Sequence, residues 1–362
     1  MAEAILIFFS ILCLTQVVFH WSVFAKILIQ KYKKTDPPTS VSVIIAAKNE
    51  AKYLPNLIQT LTEQNHPDYE IIIVNDRSKD DSRNILNQFE TEVDNLKVIH
   101  IDTLPKGWTG KKHALKKGIR ASIKETLLFT DADCLPNSSQ WIKEMTADSS
   151  EINIGYSPYE KRKGFINQFI QFETLMTGLQ YLGLALSGKP YMAVGRNWAI
   201  KKRCYPLDFL EEIKGIEGGD DDLVLNHLSG KRRIEVNIQP KSQTTSIPQE
   251  TWVDYFKQKK RHLSVGKRYH QKHQTILAIY TLAQVIGCFM FLSLLILSFK
   301  PYIILIIFGL RSLSFYTIFT RVGQKLGTMP NIWALPLLDL CYSIYYPLVG
   351  ISAWSAKKIE WS

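Results

Sequence analysis

The chain has 362 residues, 46% of them apolar, and a formal net charge of +11. That length allows one large or two modest domains with a real core. The positive charge gathers beside apolar runs and forms no basic stripe with interleaved aromatics, which argues against nucleic acid and for anionic lipid headgroups as the partner.

Residues 4–28 form an almost charge-free run, long enough for a bilayer at roughly 20 residues per crossing, without a small-residue cleavage pattern. A retained membrane anchor is expected. Lys26, Lys31, Lys33 and Lys34 follow it, and Pro37-Pro38 marks a linker that cannot continue a helix. Next comes the β-branched run Val41-Ser42-Val43-Ile44-Ile45-Ala46-Ala47, ending in Lys48-Asn49-Glu50. A helix is predicted over 53–64, a strand at Ile71-Ile72-Ile73-Val74 ending in Asn75-Asp76, a third strand over 96–101, a helix over 113–123 and a strand over 127–130. Strand, helix, strand in alternation implies right-handed parallel units, hence an α/β fold with a doubly wound, mostly parallel sheet.

Ligands of such sheets bind outside the carboxyl ends of the strands. Lys48, Asn49, Glu50, Asp76, Asp131 and Asp133 all fall there. Period-two geometry predicts that Asp131 and Asp133 point to one side of their strand, and hard oxygen ligands of this kind suit Mg2+ or Mn2+ bridging phosphate oxygens. No G-x-G-x-x-G follows the first strand, so a nicotinamide enzyme is a poor reading. The five cysteines, Cys13, Cys134, Cys204, Cys288 and Cys341, show neither C-x-x-C spacing nor a paired framework, in keeping with a reducing compartment.

Residues 165–186 are apolar, with Phe165, Phe169, Phe172 and Leu175 at helical spacing and breaks at Gly178 and Gly183. This stretch either rests at the bilayer surface or packs in a core. Three late runs, at about 276–298, 302–320 and 332–354, have the length of membrane helices. Lys257, Lys259, Lys260, Arg261, Lys267, Arg268 and Lys272 precede them, so both flanks of the central region are basic. The positive-inside rule then places that region in the cytoplasm, at the cell inner membrane. Lys357 and Lys358 oppose the rule if the spans alternate strictly. Arg311 and Asp339 fall at matching depths and predict an ion pair, the alternatives being a snorkelling arginine or a re-entrant last segment. The expected division is an anchor and basic linker over 1–36, an α/β domain over 37–250, a basic interfacial helix over 251–274 and a membrane bundle over 275–362.

Six short motifs occur in order. They are the 41–50 entry, Val74-Asn75-Asp76-Arg77-Ser78, Gly110-Lys111-Lys112-His113-Ala114-Leu115, Asp131-Ala132-Asp133, Gly218-Gly219-Asp220-Asp221-Asp222-Leu223 and Gln258-Lys259-Lys260-Arg261-His262. Together, over about 40–269, they resemble the family 2 glycosyltransferases of the GT-A (Rossmann-like) fold. The resemblance implies a membrane-anchored inverting hexosyltransferase similar to ceramide glucosyltransferases and bacterial glycolipid synthases. It takes a nucleotide-sugar donor, read here as a UDP-sugar, and a lipid acceptor.

By the same resemblance, Ala46, Lys48, Glu50 and Asp76 line the nucleotide pocket, Lys111 lies near the diphosphate, and Asp131 and Asp133 hold the metal. Asp220 or Asp221 is the base; the family's glutamate is replaced by Gly219, and the acidic trio also has the composition of a helix cap. Gln258 and Arg261 belong to an element in which histidine replaces the family's tryptophan. Gly195-Arg196-Asn197-Trp198-Ala199 resembles an acceptor-side strand, with Asn197 and Trp198 facing the sugar. Within this chemistry a processive polysaccharide synthase or a polyprenyl-phosphate transferase stays open. From other classes, so do a membrane-bound nucleotidyltransferase and a silent scaffold.

Overall fold

The computed structural model describes residues 2–31, 39–147 and 150–355. Lys33, Lys34, Pro37-Pro38, Lys357 and Lys358 lie outside the described residues. The chain divides into two compact units. One takes described residues from 31 to 160 and from 190 to 248; the other takes those up to 30, from 161 to 189 and from 249 to 355.

Among the described residues, the first unit is built on nine strands: β1 (Val41–Ala47), β2 (Tyr69–Asp76), β3 (Leu96–Ile101), β4 (Thr126–Phe129), β5 (Cys134–Pro136), β6 (Ile152–Gly155), β7 (Trp198–Lys201), β8 (Ile234–Asn237) and β9 (Thr244–Ser246). Seven make one sheet in the order β3-β2-β1-β4-β7-β6-β8, and β5 pairs with β9. The first four are mutually parallel; β7 runs antiparallel to both β4 and β6, and β8 is parallel to β6. The expected mostly parallel α/β sheet is present. Every residue of β1 is buried, as a strand covered on both faces requires.

Helix Leu54–Thr62 buries Leu54, Leu57, Ile58 and Leu61. This i, i+3, i+4, i+7 stripe is the face that packs on a sheet. Helix Gly110–Ala121 starts three residues before the sequence expectation, because Thr109 holds an extended backbone before the first turn. Lys111 and Lys112 therefore stand at the helix's N-terminal end. Its Gly118 faces the sheet so closely that an added Cβ would meet Ile44 Cγ2 at 2.8 Å.

Among its described residues, the second unit contains four helical segments long and apolar enough to cross a membrane: Glu3–Ile29, Gln271–Ile296, Pro301–Leu326 and Ile332–Ala353. Each contributes to one buried polar network. Arg311 Nη1 donates to Asp339 Oδ2, Arg311 Nε donates to Gln16 Oε1 at 2.6 Å, and Gln284 Nε2 donates to Asp339 Oδ1 at 3.0 Å. The expected ion pair is present, and two glutamines complete its hydrogen bonding. Phe165–Leu186 is one unbroken helix, contrary to the breaks expected at its glycines. Gly183 instead permits a close crossing, since a Cβ there would lie 2.9 Å from the carbonyl oxygen of Val23. Most of this helix is buried, which favours the core-packing alternative.

Candidate active site

The loops at the carboxyl ends of β1 and β2 are stitched together by short polar side chains. Asn49 and Glu50 donate their backbone N–H groups to Ser78 Oγ and Ser82 Oγ at 2.9 and 3.0 Å, and Ala51 N–H reaches Asp80 Oδ2 at 3.0 Å. Asn49 and Arg77 both hold positive φ, of 58° and 53°. Such backbone is uncommon outside glycine and is tolerated here in loops fixed from several sides. Ala46 is buried near the end of β1, and Lys48 follows in the loop. Asp76 is fully buried, and its two oxygens accept from Arg77 Nε and Nη2 at 2.8 and 2.9 Å. A carboxylate offers about four lone-pair sites, so this pairing leaves Asp76 room for further donors.

Asp131 and Asp133 correct the strand argument. β4 ends at Phe129, and the two aspartates lie in the turn between β4 and β5, not on a strand face. The turn nevertheless gathers ligand atoms of Asp131, Asp133 and Cys134 within 4.8 Å of one another. Two carboxylates at this spacing fit a divalent cation, with Asp131 and Asp133 as its hard ligands. Cys134 is fully buried and its thiol donates to Asp133 Oδ1 at 3.3 Å. Burial pushes the Asp133 carboxyl upward, helped by the charge of Asp131 and opposed by Cys134, Arg196 and Lys111. Glu50 is pushed up to about 8, by burial first and then by Asp133, Asp131 and Asp80, against Lys111. An accumulation of negative charge that forces neighbours toward the protonated state is what a bound cation relieves.

Lys111 connects this acidic turn to the second one. Its Nζ donates to Asp131 Oδ1 at 2.8 Å and lies 3.3 Å from Asp220 Oδ2. Burial alone would lower its pKa, but Asp131, Asp220 and Asp221 outweigh that and keep the ammonium charged. Gly218 and Gly219, at φ of 75° and 74°, turn the chain sharply into Asp220. Asp221 Oδ1 accepts from the N–H of Asp222 and caps helix Asp222–Leu228. Gly195 leaves space for this turn, because a Cβ there would meet Asp221 Oδ2 at 2.9 Å and Lys111 Nζ at 3.6 Å.

The adjacent acids differ. Burial works to raise Asp220, yet Lys111 and Lys112 overcome it and hold the carboxyl below its usual range. Asp221 rises to about 6 through burial and the charge of Asp220, only partly offset by Lys111.

The structure thus brings Asp131, Lys111 and Asp220 into direct contact, with Asp133 and Asp221 beside them. Gln258 and Arg261 lie on helix Trp252–Ser264 of the other unit. There, Lys259 carries the helix's buried ion pair, at 2.5 Å from Glu173 Oε2. Asn197 and Trp198 depart from the sequence reading. The Asn197 amide accepts from Trp141 Nε1 at 3.0 Å and donates to the carbonyls of Tyr156 and Ser242 at 2.8 and 2.9 Å, while Trp198 stacks on Phe129 at 4.8 Å. Both are core residues.

Residues 42–201 match the model of glycosyl transferase family 2. That stretch, which carries β1 to β7, is a family 2 glycosyltransferase domain. The chain is 35% identical over 105 residues to the glycosyltransferase AglE of Haloferax volcanii, a match covering 28% of this chain and 33% of that protein. The matched part is thus only a third of that relative's length. It is 24% identical over 285 residues to the 4,4'-diaponeurosporenoate glycosyltransferase of Staphylococcus haemolyticus, covering 74% of this chain and 72% of that protein. Its fold is similar to that of the mannosyltransferase PcManGT from Pyrobaculum calidifontis, solved with GDP-Man and Mn2+. That comparison gives a TM-score of 0.60 at 15% identity and covers 97% of this chain and 99% of the other.

Sequence reasoning missed Arg196. Its guanidinium donates from Nε and Nη2 to Ser157 Oγ and Ser157 O at 2.8 and 2.9 Å, stacks over Tyr159 at 4.7 Å, and adds positive charge near Asp131 and Asp133. The arginine immediately before the Asn-Trp pair was visible as a residue type. Its direction depended on β7 pairing with both β4 and β6, which one sequence does not reveal.

Proposed function

We propose that this enzyme transfers a hexose, with inversion, from a UDP-sugar to the hydroxyl of a membrane lipid, working from the cytoplasmic side of the cell inner membrane. The observation that carries the reading is the single ammonium of Lys111 touching both Asp131 and Asp220. It spans the distance from a diphosphate-metal position to a base position. Asp131 and Asp133 hold Mg2+ or Mn2+, which when bound neutralises charge on the departing nucleoside diphosphate. Lys111 turns from Asp131 toward that same phosphate. Ala46, Lys48, Glu50 and Asp76 take the nucleoside.

Asp220, kept ionised by its two lysines, accepts the proton of the incoming hydroxyl, while Asp221 is committed to capping the following helix. The PcManGT complex with GDP-Man and Mn2+ supports a nucleotide-sugar donor with a divalent ion. The relative named for 4,4'-diaponeurosporenoate and the four apolar helices support a lipid-like acceptor.

The test is mass spectrometry of total lipids from cells expressing the wild type or Asp220→Asn, beside a purified-enzyme assay across UDP- and GDP-hexoses. One lipid class is expected to lose a hexose-sized mass in the variant, with free nucleoside diphosphate as the in vitro co-product. Release of pyrophosphate, or a lipid profile unchanged by Asp220→Asn, contradicts the proposal.

A further inference from the structure

Lys111 and Lys112 are sequence neighbours with different tasks. Lys111 reaches the carboxylates, whereas Lys112 is 1% exposed and its ammonium donates to the backbone carbonyls of Ile216 and Gly218. Those carbonyls belong to the loop that delivers Asp220. A buried charge is costly unless it is hydrogen-bonded, and a merely space-filling residue at this position would more cheaply be apolar. The charge therefore calls for a reason in the loop it grips.

The loop's own backbone bonds are local, Ile216 N–H to Ile213 O at 3.0 Å and Leu223 N–H to Gly219 O at 3.2 Å. Gly218 and Gly219 occupy left-handed backbone in succession, at φ of 75° and 74°, and glycine gives up more conformational freedom on ordering than any other residue. From the same helix end, the Thr109 N–H donates to Lys214 O at 2.8 Å. Two carbonyls held by one ammonium fix the backbone on either side of Glu217, and so fix where Asp220 begins. With Asp220 so placed, its Oδ2 stands 3.3 Å from Lys111.

We propose that Lys112 is the positioning residue for the base loop: by clamping the carbonyls of Ile216 and Gly218 it sets the carboxylate of Asp220 against the sugar-transfer site. Lys112 touches neither substrate nor metal and acts only through that backbone. The inference rests on the reading of Asp220 as the base. A misplacement of about 1 Å at a reacting group costs on the order of 100-fold in rate, which sets the size of effect to look for.

The experiment uses the full chain in detergent micelles and compares wild type, Lys112→Met, Lys112→Arg and Asp220→Asn. Turnover is measured with whichever UDP- or GDP-hexose the wild type consumes fastest. Binding is measured with UDP plus Mn2+ and with GDP plus Mn2+, and amide hydrogen exchange is followed by mass spectrometry. Lys112→Met is expected to lower kcat about 100-fold with the donor KM within about threefold. Exchange should quicken about 10-fold over 216–222 while β1 stays protected. Lys112→Arg, which still presents several donors to the two carbonyls, is expected to restore the protection and most of the rate.

Wild-type turnover in Lys112→Met overturns the proposal. So does a loss of turnover accompanied by faster exchange throughout β1 and lost nucleotide binding, which would mark Lys112 as a fold residue only. Asp220→Asn separates the underlying reading: it is expected to abolish turnover with exchange at 216–222 unchanged, and full turnover in it removes the base assignment whatever Lys112→Met does.

Discussion

Asp220 and Asp221 share a turn and a neighbouring lysine, yet their protons behave oppositely. Asp220 has two ammonium groups at hand; Asp221 has the charge of Asp220 instead. The consequence for stability follows from the sign of the shift. Asp221, at about 6 in the folded chain, lies above the unfolded reference of about 3.9. Its contribution is complete below the unfolded value and is lost as pH rises through the folded one. Asp221→Asn keeps the cap, since asparagine caps helices as well as aspartate does. The variant is therefore expected to gain thermal stability relative to wild type as pH is raised from about 4 to 7.5, by on the order of 1 kcal/mol. Differential scanning fluorimetry across that range measures it; a difference independent of pH contradicts the assignment.

Among single residues, the gathering of acids near strand ends was legible, because polar side chains collect where the buried strands stop. Arg196, Gly195 and Lys112 were not. Each lies in a motif the sequence displays, but it acts through partners distant in the chain, and the motif does not announce that action.

At the scale of elements, strand β7 shows how a motif can be read correctly and its purpose misread. Aromatic and amide side chains suit sugars, and Asn197-Trp198 looked like a sugar-facing pair. The strand instead sits between β4 and β6 with all four of its residues buried, so its edges are paired and both its faces are covered. An amide with three hydrogen bonds in such a place is a structural clamp. Asn197→Ala is expected to cost about 3 kcal/mol, at roughly 1 kcal/mol or more for each buried bond broken. The readout is a lower Tm at unchanged donor KM; a raised KM at unchanged Tm would return Asn197 to the substrate.

The helices were placed with similar partial success. Periodicity found Leu54–Thr62 and Gly110–Ala121, but their ends moved because termini are decided by backbone conformation at the cap. Asp131 and Asp133 were rightly paired for an incorrect reason, the turn having replaced the strand.

At the scale of the whole molecule, the apolar runs were legible from length alone, and the depth argument correctly joined Arg311 to Asp339. What stayed hidden was the participation of Gln16 and Gln284, which makes one network out of all four candidate spans. Removing one partner of a buried ion pair leaves the other charge uncompensated, at a cost of about 3–5 kcal/mol. Arg311→Met is therefore expected to lower the thermal midpoint of the detergent-solubilised protein steeply, and Arg311→Met with Asp339→Leu to recover much of it. Additive losses, with the double variant less stable than either single one, read by fluorescence-detected size exclusion after heating, would show that the pair carries no such coupling.

The account as a whole turns on carboxylates from separate segments dividing two tasks in one site. The most direct measurement is Mn2+ binding in the presence of UDP, followed by electron paramagnetic resonance, for wild type, Asp133→Asn and Asp220→Asn, with turnover recorded on the same samples. Asp133→Asn is expected to weaken Mn2+ binding by about 10-fold or more, and Asp220→Asn to bind Mn2+ like wild type while losing turnover. Wild-type Mn2+ affinity in Asp133→Asn, or undiminished turnover in Asp220→Asn, would contradict it.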